Sequence, residues 1–119
     1  MTAPNLLNLT SITGKTIAYN GTTSTVNMIT NPANSNKLIK INAIIITNVD
    51  GTNDATVRMG ITTPNNQAFL AYDLNIPVAT TLVLIDKSSS FYLEESEILY
   101  GSASANLDLN IAISYEELA

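Results

Sequence analysis

The amino-acid sequence predicts an all-β domain, an antiparallel, jelly-roll-like sandwich of about eight to ten short strands. Three observations predict it. Apolar and polar residues alternate at period two along most of the chain, with helical periodicity nearly absent. Turn-forming sequences separate the alternating runs, among them Asn20-Gly21, Asn31-Pro32-Ala33-Asn34, Asp50-Gly51, Pro64-Asn65-Asn66 and Ser104-Ala105-Asn106. Ser, Thr and Asn together make up roughly a third of the residues; branched Thr suits a pleated strand, while Asn and Ser suit turns. A closed barrel is the alternative arrangement of the same strands.

In chain order, Leu6 to Ile12 and Lys15 to Tyr19 read as strands flanking Gly14, and Ser24 to Thr30 sets Val26 and Met28 on one face. Lys37 to Val49 starts amphipathic, with Ile39 and Ile41 opposed to Lys40 and Asn42. It then turns apolar on both faces through Ile44, Ile45 and Ile46, as does Thr81 to Ile85. Such strands are covered on both sides, by a loop or by another subunit. Asp50-Gly51 is a strong hairpin signal, with a polar run to Asp54 that lengthens the loop.

Ala55 to Thr62 alternates cleanly, placing Ala55, Val57, Met59 and Ile61 inward and Thr56, Arg58 and Thr62 outward. Phe69 to Leu74 ends near Pro77, which suits a strand end because proline donates no ladder bond. Phe91 to Leu93 and Glu97 to Ala103 follow, with a single helical turn expected over Leu93 to Glu97. The last strand, Leu107 to Tyr115, carries Leu107, Leu109, Ile111, Ile113 and Tyr115 on one face. One domain over residues 1–119 accommodates all of these.

Charge narrows the partners. Only 13 % of the residues are charged and the formal net charge is −5. Lys15, Lys37, Lys40, Arg58 and Lys87 are scattered, so no basic patch for nucleic acid is expected. Acids gather late, at Glu94, Glu95, Glu97, Asp108, Glu116 and Glu117, as a solvated end or a surface for a basic partner. Apolar stretches such as Ala43 to Ile46 are far too short for a membrane span, and Met1 to Asn5 shows no secretory signal. Synthesis in a cytoplasm, in soluble form, is the expectation.

The chemistry is limited by absence. The chain contains no His and no Cys, which removes the usual near-neutral acid/base, the thiolate nucleophile, the common zinc ligands and any disulfide. Carboxylate chemistry remains, with Asp73, Asp86, Glu94, Glu95 and Glu97 as candidates. Neighbouring acids on a strand point to opposite faces, so Glu94 and Glu95 are poorly placed as a pair. The run Asp50-Gly51-Thr52-Asn53-Asp54 lacks the closing Glu of a calcium loop, and Gly14-Lys15-Thr16 lacks the rest of a phosphate cradle. Asn8-Leu9-Thr10 and Asn20-Gly21-Thr22 fit the glycosylation pattern, which matters only on a secretory route. No catalytic, cofactor-binding or metal-ligating residue is therefore expected, and the chain reads as a non-enzyme. Among the aromatic residues, Tyr92 beside Phe91 is the ring expected on the surface.

Several segments resemble small virion structural proteins of tailed marine bacteriophages, of the cyanophage type. They are Ala3-Pro4-Asn5-Leu6-Leu7-Asn8, Ser11-Ile12-Thr13-Gly14-Lys15-Thr16, Lys37-Leu38-Ile39-Lys40-Ile41-Asn42, Ile46-Thr47-Asn48-Val49-Asp50-Gly51 and Ile113-Ser114-Tyr115-Glu116-Glu117. Where such proteins carry glycine followed by an acid after a Leu-Glu-Glu segment, this chain has Ser96-Glu97. The resemblance implies a β-sandwich resident in the virion, without enzymatic activity or cofactor, as a capsid decoration or cement subunit. Its partners would be itself, with a trimer favoured, and the major capsid protein or other virion proteins. The competing expectations are a neck or tail accessory protein and a carbohydrate-binding host-adhesion module.

Overall fold

The computed structural model describes residues 5–119; residues 1–4, which begin the resemblance and hold most of the stretch read for a secretory signal, lie outside them. Nine strands form: β1 (Ile12–Asn20), β2 (Val26–Thr30), β3 (Leu38–Asn48), β4 (Ala55–Thr62), β5 (Gln67–Ile76), β6 (Thr81–Ile85), β7 (Phe91–Leu93), β8 (Ile98–Ala103) and β9 (Leu109–Leu118). They make two antiparallel sheets, one in the order β1-β9-β3-β6 with β7 also on β3, the other in the order β2-β8-β4-β5. Strand β6 pairs with the later part of β3 and β7 with its earlier part, so together they act as one interrupted edge. The pairs are then nested: first with last, β2 with β8, β3 with the β6–β7 edge, and β4 with β5. This is a jelly-roll-like sandwich. The two sheets end in separate edges, so the closed-barrel alternative is overturned.

Inward residues of both sheets meet in one core. Ile41, Ile44, Ile46, Leu109, Ile111 and Ile113 from the first sheet face Val57, Met59 and Leu99 from the second. The alternation expected for β4 and β9 holds at Ala55, Val57, Met59, Leu109, Ile111, Ile113 and Tyr115, all buried. Strand β3 shows why its apolar run looked two-sided. A bulge at Asn42, where β3 carries one more residue than β9, shifts the parity, so Ile41 and Ile44 both point inward. Ile45 then faces out, 37 % exposed, and Val83 opposite it on β6 is 55 % exposed. Their outer side is open, not covered by a loop.

Three expectations fail. Leu6 to Ile12 is not a strand: the Asn5 side chain accepts the Leu7 N–H at 2.9 Å and caps a 3-10 turn over Leu6–Asn8. Leu107 does not start the last strand; it sits at φ 68°, 63 % exposed, its N–H donated to the Gly21 carbonyl. The single helical turn over Leu93 to Glu97 is instead a reverse turn, with the Glu97 N–H donated to the Glu94 carbonyl and Ser96 at φ 69°. Positive φ at the third turn position is what glycine adopts without strain. That is the position at which the resemblance implies glycine and this chain has Ser96.

Two buried asparagines seal the ends of the core. Asn31 donates to the carbonyls of Lys37 and Leu93, both at 3.0 Å, and accepts from the Ser35 hydroxyl. Asn48 donates to the carbonyls of Asn53 and Ile76 and accepts the Asp50 N–H at 2.9 Å. Each satisfies backbone groups that leave a strand with no ladder partner.

Candidate functional site

The carboxylates considered for chemistry are dispersed through structural roles. Glu94, Glu95 and Glu97 all belong to the reverse turn after β7. Glu97 accepts the Glu94 N–H at 2.8 Å, while Glu95 is buried and accepts the Asn36 N–H. Asp86 caps the 3-10 turn Lys87–Ser89 by accepting the Ser88 N–H. Asp73 is held by Arg58, which lowers its pKa through those hydrogen bonds. Glu95 and Glu97, the two acids that a strand would align, thus serve one turn and line none of the cavities described below.

Asp50 and Asp108 meet instead. Asp50 accepts the Thr52 N–H and hydroxyl, both at 3.0 Å, and these bonds hold its pKa below the ordinary carboxylate value. Desolvation, then the charge of Asp50, pushes the Asp108 carboxyl upward. The expected loop over 50–54 is thereby an Asp-capped turn. Among the described residues no group of three or more acidic side chains is placed to hold a metal ion. No helix among them is long and apolar enough to cross a membrane.

Tyr92 is 43 % exposed on the short edge strand β7, opposite Lys40. The rings that cluster are others. Phe69 and Tyr72 on β5 pack edge to face at 4.8 Å, and Phe69 meets Tyr100 of β8 at 6.1 Å. Residues three apart on a regular strand point to opposite faces. Here β5 gains one residue relative to β4 at Leu70, between them, and that bulge brings Phe69 and Tyr72 together; another follows near Asp73, at φ 50°. Period-two reading has no means of finding this cluster.

Gly60 supplies the floor. Asn27, Tyr100, Gly60 and Phe69 lie in one row across the second sheet. A Cβ on Gly60 would stand 2.5 Å from the Tyr100 hydroxyl and 2.6 Å from the Ala68 carbonyl, so the tyrosine lies directly across the glycine. Gln67 donates to the Tyr100 hydroxyl at 2.6 Å and fixes that position. Arg58 lies 4.4 Å above the Tyr72 ring while gripping both oxygens of Asp73.

Around these groups runs an open cavity of about 270 Å³, lined by Thr25, Asn27, Arg58, Thr62, Gln67, Phe69, Tyr100 and Ser102. A second, of about 220 Å³, shares Arg58 and Ser102 and continues past Asp73 and Ser104. Phe69 and Tyr72 are 47 % and 59 % exposed. The side chains of Asn27, Thr62 and Ser102 have no hydrogen-bond partner among the described residues.

The outer face of the first sheet differs. Register sets Asn20, Asn110, Thr47 and Thr81 in one row, and Ala18, Ala112, Ile45 and Val83 in the next. Beyond them, Lys40 and Glu116 sit directly opposite each other without an ion pair. The face is neutral over those two rows; an open cavity of about 270 Å³ lies over Ala18, Asn20, Ile45, Thr47, Asn110 and Ala112, and one of about 640 Å³ lies beside Val83, Lys40 and Glu116.

No family model matches the chain, and no curated protein matches it. Solved structures that are similar include two of a pentameric capsid protein isolated from metagenomic phage sequences, one of them solved by iodide phasing. Each is 14 % identical with a TM-score of 0.43 and covers 95 % of this chain. The chain spans 62 % and 63 % of those two chains.

Proposed function

We propose that residues 1–119 act as one domain, a non-enzymatic structural subunit of a phage virion that seats on the capsid exterior as a decoration or cement protein. The observation that carries the reading is the outer face of the first sheet. A row of Ala18, Ala112, Ile45 and Val83 beside a row of Asn and Thr is uncharged and short-chained. Burying such a face removes apolar area from water with little loss of side-chain freedom and no charge to desolvate. The segments that resemble cyanophage virion proteins support the same role, and the trimer about a three-fold axis is the favoured oligomer.

Two measurements test it. Mass spectrometry of purified particles is expected to find the chain at high, fixed copy number; its absence overturns the reading, and a small multiple of three or six moves it to the neck or tail. Light scattering of the purified protein is expected to give three times the 12.7 kDa protomer mass. A different multiple replaces the trimer and leaves the capsid contact to the first measurement.

A further inference from the structure

We infer that the outer face of the second sheet is a binding site for a neutral pyranose oligosaccharide, centred on Phe69, Arg58, Asn27 and Tyr100. It is a separate surface from the proposed capsid contact, on the opposite side of the sandwich, and neither reading depends on the other.

The chemistry of the groove selects the ligand class. A pyranose ring presents an apolar face of C–H groups and a rim of hydroxyls. Recognition needs an exposed ring for the first and unpartnered short polar groups for the second. Phe69 is a half-exposed ring held in place by edge-to-face contact with Tyr72 and Tyr100. Beside it Asn27, Thr62 and Ser102 offer an amide and two hydroxyls with no partner of their own. Arg58 retains donors beyond the two that Asp73 occupies, and it lines both cavities.

The site is also built rather than incidental. Its floor requires the absent Cβ of Gly60 and the Gln67 bond that pins Tyr100. The bulge at Leu70 in β5 re-aims Phe69 and Tyr72 to the same side. Preorganisation of this kind lowers the ordering cost of binding. Charge decides between sugars. The guanidinium of Arg58 is neutralised by Asp73 within the groove, and the whole chain carries −5, so acidic glycans gain little and are repelled at longer range. The paired cavities, joined at Arg58 and Ser102, suit more than one sugar unit.

The test uses the purified full chain and an array of neutral and acidic oligosaccharides, followed by an NMR titration with the strongest neutral binder. Backbone shifts are expected to concentrate at Asn27, Arg58, Phe69 and Ser102. The Phe69→Ala and Asn27→Ala variants should each weaken binding by about tenfold or more, with unchanged spectra elsewhere showing that they fold. Tyr92→Ala, on the other sheet, should bind as the parent chain does. A blank array, shifts that map to the first sheet, a preference for acidic sugars, or Phe69→Ala binding undiminished each overturns the proposal. If Tyr92→Ala alone loses binding, the site is the β7 edge and the inference is wrong.

Discussion

Leu107 holds its backbone at φ 68° while its side chain is 63 % exposed. A branched side chain in the left-handed region costs about 1 kcal/mol or more, and here little packing offsets it. Leu107→Gly is expected to raise stability by about that amount, read as an upward shift of the denaturation midpoint. Asn48 presents the opposite case. Its buried amide joins Asn53, Ile76 and Asp50, and Asn48→Ala would strand two carbonyls and an N–H at the core's end. The expected loss is about 2–4 kcal/mol by urea denaturation.

Asp50 and Asp108 respond to pH in opposite senses. With its pKa depressed in the fold, Asp50 contributes stability that is present above the ordinary value of 3.8 and lost as pH falls through the lower, folded value. Asp108 is raised, so its contribution is present in acid and lost as pH rises from 3.8 through the folded pKa. Asp108→Asn should therefore be more stable than the parent near neutral pH, with the gap closing in acid. A pH series of melting curves checks the sign.

At the scale of the element, β3 and β5 show what alternation reveals and what it hides. Alternation located β4 to its ends and the inward face of β9 from Leu109, because each keeps period two against its neighbours. Bulges broke the inference elsewhere. At Asn42 the parity shift made a one-sided strand look buried on both faces, and in β5 the shift at Leu70 brought Phe69 and Tyr72 together. A bulge depends on the partner strand's register, which is a long-range property with weak local signature. Asp73 at positive φ is the one residue type that hinted at it, since Asp tolerates that region better than most. Tyr92 was correctly read as exposed, but exposure alone did not identify the ring that has neighbours. The proposed contact face gives the prediction proper to this scale. Val83→Lys puts a charge on an outward position of β6, so it should leave the melting midpoint nearly unchanged while abolishing co-sedimentation with particles.

For the whole molecule, the two outer surfaces of the sandwich differ in chemistry. One is uncharged and short-chained over two rows, the other aromatic and fixed by Gly60. A subunit seated through the first necessarily presents the second to the surroundings. Particles carrying the chain should then bind neutral glycans multivalently, and particles carrying Phe69→Ala should assemble normally yet lose that avidity.

The nesting of first strand with last also governs time. Ile12 pairs with Leu118, and the Ser11 and Ala119 backbones exchange hydrogen bonds. The outermost pair of the roll closes the largest loop in the chain, so its entropy must be surrendered before β9 finds both neighbours. Until then β3 lacks its central partner and β1 has none, so an incompletely folded chain exposes unpaired strand edges. Permuting the order so that β9 runs directly into β1 through a short turn would make that pairing local. Such a permutant should fold faster and precipitate less on refolding, with the same final structure.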